Sequence, residues 1–341
     1  SQTYIRAIIK GLAKKHVVHV IANDQEIEEQ KGKNEWWWPS TYHPTNFDAV
    51  IQQMHINPNP DYEAPILILM TSCIDPRLGP DHKWGSQVDA YPVFSETHKE
   101  LLLKMRPTIP EDRCFMTGLG VDLDDYKKSV SKVPGRMLYA NDPARGLFYV
   151  LDIFNIIKQK IPEATLHIAY NFDQQLGWRM WEHSHMAQML LDCKRRIEII
   201  PGVVNLGGIS REEIIQEQME CQVHCMPSDP PGLGTQTHGI TQMECAAAGA
   251  ALVLSDIEAF PEIFSEGAII LPVIGKYIPS QERRVAVQDY AEVVIGLMTN
   301  PDKWEKESKR AKSLAQKYTW SKVVAKWENM LVKLTEGVVV A

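Results

Sequence analysis

The strongest constraint on the fold is the alternation of short apolar runs with longer amphipathic stretches. Residues 66–70, ILILM, form a continuous apolar run after Pro65. Such runs are typical of strands buried on both faces of a parallel sheet. From residue 136 onward the alternation is regular. Residues 136–140, 165–170, 203–206, 221–226 and 251–254 read as strands. Between them, 147 to about 160 carries Leu151, Ile153, Phe154 and Ile157 at helical spacing, 171–200 is a helical stretch, and Ser210 caps a helix opening with Arg211-Glu212-Glu213. Strands and helices in this order predict an α/β, doubly wound parallel sheet with right-handed crossovers.

The first third is less regular. Ile5, Ile8, Ile9 and Leu12 predict a helix from 2 to about 15, followed by a strand at 17–22. A doubly wound sheet normally opens on a strand and a Gly-containing turn, so the chain is expected to lack its first strand. Trp36-Trp37-Trp38 cannot all share one face of a strand or helix. They read either as packing under a long loop or as a sugar-stacking platform, and they point to an interface, which allows a homo-oligomer. Residues 91–94 form a short strand. Ser95 then reads as the N-cap of a helix through Met105, and more weakly as a nucleophile beside His98 or Lys99. Residues 107–128 read as a connector. The tail, 301–334, is an amphipathic helical region broken near Tyr318-Thr319-Trp320, with Trp320, Val324, Trp327 and Leu331 on one face.

In open α/β sheets ligands lie beyond the carboxyl ends of strands. This makes Asp75 and Arg77, after the 66–70 run, site candidates or alternatively turn residues. In the second half the turns at 141–146, 207–210, 227–229 and 234–244 all fall at strand carboxyl ends. Arg145 stands next to Gly146, where backbone can approach a ligand and a guanidinium can hold a diphosphate in bidentate fashion. Gly239-Ile240-Thr241 puts unpaired amides at a helix N-terminus, an anion-binding arrangement. Glu244, one turn further in, can accept hydrogen bonds from paired ribose hydroxyls. Phosphate at the helix tip and sugar hydroxyls at its first turn describe a nucleotide site. The alternative is a capping box, Thr241-x-x-Glu244, that only closes the helix.

The stretch QTHGITQME from Gln236 to Glu244, the small-residue helix through Ala246-Ala247-Ala248-Gly249, and Phe260-Pro261-Glu262 resemble the donor-site signature of family-4 retaining glycosyltransferases. That signature has two glutamates with seven residues between them, then a small-residue helix and a Pro-Glu. Glu244 matches the second glutamate; Gln236 stands in the place of the first, and His238 in that of the usual aromatic. The resemblance implies a GT-B architecture, two Rossmann-like domains facing a cleft. It suggests an acceptor domain at 1–125, a donor domain at 126–310, and a C-terminal helix at 311–341 packing back on the first domain. It implies that Gly208 and Ile209 read the base and that Ile240 belongs to the phosphate loop. Gln236 would face the transferred sugar, Arg145-Gly146 would hold the diphosphate, and Asn141 would occupy the place of a second diphosphate cation. Arg136, Lys99 or an arginine from the other domain is the expected replacement for that cation. The expected catalytic residues are Arg145, Gln236 and Asp75. The expected donor-binding set is Asn141, Gly146, Gly208, Ile209, His238, Gly239, Ile240, Thr241 and Glu244. The implied reaction moves a sugar, with retention, from a UDP- or GDP-linked donor to a hydroxyl of a glycan, glycolipid or protein acceptor, with no metal and no cofactor. Two rivals are a non-catalytic GT-B domain that binds sugar or protein, and a nucleotide-sugar epimerase.

Composition narrows the partners. A net charge of −7 argues against nucleic acid or a membrane surface as a general partner, and no apolar run is long enough for a transmembrane segment. Six scattered cysteines suit free thiols in a reducing compartment, so a cytoplasmic protein is expected. Cys221-Gln-Val-His-Cys225 matches no common zinc spacing and reads as a core strand.

Overall fold

The computed structural model describes residues 2–22, 35–39, 47–53, 64–70, 88–173, 184–228, 236–275 and 280–339. The chain forms two compact units. One comprises residues 1–120 and 318–341, the other residues 121–317.

In the first unit, helix α1 (Gln2–Leu12) is followed by strand β1 (Val18–Ala22), which pairs in parallel with β2 (Glu35–Pro39). The three tryptophans thus lie on a strand, with Trp37 opposite Val20. Strand β3 (Val50–Gln53) pairs in parallel with β4 (Leu67–Met70), the expected buried run. A parallel bridge from Ile68 to Ala90 leads to β5 (Tyr91–Val93), which pairs with β6 (Cys114–Met116) inside the expected connector. Leu69, Val88, Tyr91, Val93, Leu102 and Ile109 form its core. Helix α2 (Glu96–Met105) starts as expected: the His98 amide donates to Ser95 Oγ at 3.0 Å. Ser95 and His98 are both buried, and His98 Nδ1 accepts from the Phe94 amide at 3.1 Å.

The second unit holds a six-stranded, all-parallel sheet. In chain order its strands and helices are β7 (Arg136–Tyr139), α3 (Leu147–Lys160), β8 (Thr165–Ile168), α4 (Ser184–Ile199), β9 (Val203–Asn205), α5 (Arg211–Glu220), β10 (Val223–Met226), α6 (Ile240–Ala248), β11 (Ala251–Ser255), α7 (Ala259–Phe264), β12 (Ala268–Leu271), α8 (Ser280–Thr299) and α9 (Pro301–Ala315). The spatial order is β12-β11-β10-β7-β8-β9. Counted from β7 as the first strand, this is the 3-2-1-4-5-6 order of a dinucleotide-binding sheet read from its other edge. The order reverses between β7 and β10, so the crevice for a ligand lies beyond the carboxyl ends of those two strands. Val223 to Met226 is buried throughout, so the Cys-His-Cys stretch is a core strand as expected. Burial holds His224 neutral, with a pKa lowered to about 4. Its Nδ1–H then donates to Leu138 O across the β7–β10 seam at 3.0 Å.

The helices form two groups, with α3, α4 and α8 packed together in one, and α5, α6 and α9 in the other. The small residues of α6 admit α9 at close range. A Cβ on Gly249 would lie 2.2 Å from Lys312 Cε, and Ser308 Oγ donates to Gly249 O at 2.7 Å.

The break in the tail falls between α9 and α10 (Trp320–Val339). Within the first unit, α10 packs on α1: Tyr4 lies 6.0 Å from the Trp320 ring and 6.5 Å from the fully buried Trp327 ring, and Gly11 faces Val324. No helix among the described residues is long and apolar enough to cross a membrane.

Candidate functional site

The turn after β7 is built by its own sequence. Asp142 Oδ1 accepts from the Ala144 amide at 3.0 Å, Pro143 supplies a pre-set first helical position, and Gly146 ends the turn at φ +117°. This conformation brings Gly146 against the strand-end loop of β10. A Cβ there would lie 2.3 Å from Pro227 O. Arg145 is thereby held at the switch point, where its Nη1 donates to Gln236 Oε1 at 3.2 Å.

Gln236 is 5 % exposed and joins three strand ends. Its Nε2 donates to Ser228 Oγ at 3.3 Å, after β10. Ser228 is in turn anchored to the end of β11, its amide donating to Ser255 Oγ at 2.9 Å. The Gln236 amide donates to Glu258 Oε2, and Gln236 O accepts from the Ala259 amide at 3.2 Å. Arg145, Gln236, Ser228 and Glu258 therefore form one hydrogen-bonded corner.

Next to it is the N-terminus of α6. Gly239 is the N-cap, at φ +116°, and no side chain caps the helix. The capping-box alternative is therefore not what forms. Thr241 lies inside the helix and donates to Ala140 O at 3.4 Å instead. A real capping box occurs at α5, where Glu213 N donates to Ser210 Oγ at 3.2 Å and Ser210 N to Glu213 Oε2 at 2.8 Å. The contrast predicts that Ser210→Ala costs about 1 kcal/mol in a denaturant titration, whereas Thr241→Ala stays within about 0.5 kcal/mol. His238 and Thr237 are buried beside this terminus.

Glu244 is 6 % exposed and already has partners. Oε1 accepts from Arg211 Nη1 at 2.7 Å and Oε2 from Gln218 Nε2 at 2.9 Å. Arg211 Nη2 also donates to Asp125 at 2.8 Å, and the Tyr126 hydroxyl donates to Gln218 Oε1 at 2.7 Å. Burial works against the Arg211 charge, but the charge of Glu244 and the bonds to Asp125 and Glu244 more than offset it. Burial and the neighbouring Glu244 charge raise the Tyr126 pKa, so its hydroxyl remains a donor. A carboxylate accepts about four hydrogen bonds, so two positions on Glu244 remain for hydroxyls.

The structure thus brings together Arg145, Gly146, Gln236, Gly239, Ile240, Thr241 and Glu244 around the carboxyl ends of β7, β10 and β11. Asn141 joins them through Gln242 Nε2 at 3.5 Å. Gly207, at φ +69°, and Gly208 form an open turn beyond β9, with Ile209 after it and Arg211 reaching from its far end to Glu244. The expected catalytic Asp75, with Arg77, lies outside the described residues, as does Asp229. The two named replacement cations both have partners of their own. Arg136, at the opposite end of β7, pairs with Glu220 and lies 3.9 Å from Glu217; Lys99 pairs with Glu96 at 2.8 Å and Glu111 at 3.3 Å. The cation that does reach the site is Arg211, which sequence reasoning had assigned only to a helix first turn. Glu258 was missed as well, since no motif marks it.

No protein-family model matches the chain. Over 215 residues it is 22 % identical to the phosphatidyl-myo-inositol mannosyltransferase of Mycobacterium tuberculosis H37Rv, an alignment covering 60 % of this chain and 50 % of that protein. The chain spans about half the length of the curated relatives it matches. Among solved structures, a glycosyltransferase from Rickettsia africae superposes with a TM-score of 0.68 at 12 % identity, over 97 % of this chain and 94 % of that one. The pneumococcal O-GlcNAc transferase GtfA in complex with UDP and GlcNAc gives 0.56 at 14 % identity, over 79 % and 53 %. Anabaena HepE in complex with UDP and glucose gives 0.58 at 14 % identity, over 79 % and 72 %. The chain has the GT-B fold, and in sequence it is similar to a phosphatidyl-myo-inositol mannosyltransferase.

Proposed function

We propose that this protein is a retaining glycosyltransferase whose second unit binds a nucleoside diphosphate-sugar at the β7–β10 switch point. The observation that carries this reading is the convergence of a guanidinium, an uncapped helix N-terminus and a buried carboxylate at one crevice. Arg145 and the first amides of α6 hold the diphosphate. Glu244 takes the ribose hydroxyls, and Gln236 faces the transferred sugar. Bond breaking between the anomeric carbon and the outer phosphate oxygen leaves charge on that phosphate, which Arg145 and the helix terminus stabilise. The acceptor oxygen bonds to the same face of the anomeric carbon, and its proton passes to the departing phosphate oxygen. Gln236 is neutral, so it orients sugar hydroxyls as both donor and acceptor and adds no charge to the transition state. The relatives and structures bearing UDP and a sugar support this reading.

The reading is tested by incubating the protein with UDP-glucose and GDP-mannose and following the products by proton NMR. The expected result is release of free nucleoside diphosphate, with the sugar appearing first in the donor's own anomeric configuration. An altered nucleotide-sugar with no release identifies an epimerase. One feature favours the non-catalytic reading: Gln236 where the resembled signature has a carboxylate. Donor binding without turnover would establish it.

A further inference from the structure

Glu258 is the one described non-glycine residue at positive φ, with φ 48° and ψ −123°. The Phe260 amide donates to Ile257 O at 3.0 Å, so residues 257–260 form a hydrogen-bonded turn. Glu258 occupies its second position, in the type II′ geometry that favours glycine. A long acidic side chain is placed there at a conformational disadvantage. What it does there is specific. Glu258 Oε2 accepts from the Gln236 amide while the next residue, Ala259, donates to Gln236 O, so the turn grips Gln236 at both backbone groups. The Gln236 side chain in turn receives Arg145. Burial raises the Glu258 carboxyl pKa, and the Gln236 amide and the Arg145 charge pull it the other way. The carboxylate therefore lies within the field of Arg145.

We propose that Glu258 is a positioning residue of the donor pocket: it returns to this corner the carboxylate that position 236 lacks and, by gripping Gln236, sets where Arg145 meets the donor. This rests on the transferase reading above. Of the four residues of the corner, Arg145, Gln236, Ser228 and Glu258, Glu258 alone carries a negative charge, and Glu244 accepts from Arg211 and Gln218 on α5.

The test compares wild type, Glu258→Gly, Glu258→Gln and the pair Glu258→Gly with Gln236→Glu, using UDP-glucose and GDP-mannose. Glycine relieves the turn strain, which offsets the acceptor that the buried Gln236 amide loses, so Glu258→Gly should unfold within a few degrees of wild type. Its kcat should nonetheless fall by about a hundredfold, the effect of misplacing a reacting group, with a smaller change in KM. Glu258→Gln keeps an acceptor for the Gln236 amide and should fall less. Adding Gln236→Glu to the glycine variant should recover most of the loss, because the carboxylate returns to the same corner. A merely structural residue would lower stability and activity together and would not be rescued from position 236. Donor turnover by wild type with an equally active Glu258→Gly overturns this role alone. No donor binding by wild type overturns the transferase reading and this role with it.

Discussion

Gly146→Ala is expected to lower stability by about 2–6 kcal/mol and to abolish donor binding. Two costs add. At φ +117° a non-glycine residue is strained by about 1–3 kcal/mol. The new methyl would also lie 2.3 Å from Pro227 O, a backbone atom that cannot rotate away. Forcing atoms into a filled space typically costs a further ~1–3 kcal/mol. The melting temperature of a domain this size should then drop by about 4–24 °C. Relief comes only by moving the β7 and β10 loops apart. That movement displaces Arg145, the adjacent residue, and breaks the corner it makes with Gln236. Differential scanning calorimetry checks the first effect and donor titration of the folded fraction the second. A variant that melts with wild type would mean that the two loops do not meet as described.

Glu244→Ala is expected to weaken donor binding by about 10- to 100-fold, the equivalent of the ~1.5–3 kcal/mol a hydrogen bond to a charged group contributes. Its structural cost is separate. Gln218 is fully buried, and its Nε2 loses its acceptor. An unsatisfied buried donor costs about 1–3 kcal/mol. Arg211 fares better, because it keeps Asp125 and its side chain is 37 % exposed. Glu244→Gln separates the two effects. An amide keeps the volume but cannot accept from both Arg211 and Gln218, so one contact must break. Stability should fall less than in Glu244→Ala, while donor affinity still drops. Equal affinity in wild type and both variants would remove Glu244 from the nucleotide site.

Most of the second unit was legible in the sequence because its central strands are buried on both faces and write largely apolar runs. The runs at 223–226 and 251–255, fully buried in the structure, are the clearest. Turn chemistry was equally readable where a local hydrogen bond dictates it, as at Ser95 and Ser210. Strands β2, β3, β6 and β12 were not anticipated. β3 alternates half-buried with exposed positions over four residues, and β6 is three residues long and half-buried throughout. Such segments take their strand identity from a partner distant in sequence, which no local pattern records. The site divides the same way. Arg145, Gln236, Gly239 and Glu244 could be found because motif spacing places them. Arg211 and Glu258 could not, because they act through contacts 33 and 22 residues away in the chain. Nothing near Glu258 announces a positive φ; glycine would have done so.

The measurement that bears most directly on the account is a thermal-shift titration of wild type with UDP, GDP and ADP, repeated on Glu244→Ala. A ligand that binds only the folded state raises its melting temperature with concentration. The account predicts a saturable rise with one of the three nucleotides and a curve displaced to much higher concentration in the variant. No rise with any nucleotide, or the same rise in both proteins, would contradict a nucleotide site at the β7–β10 crevice.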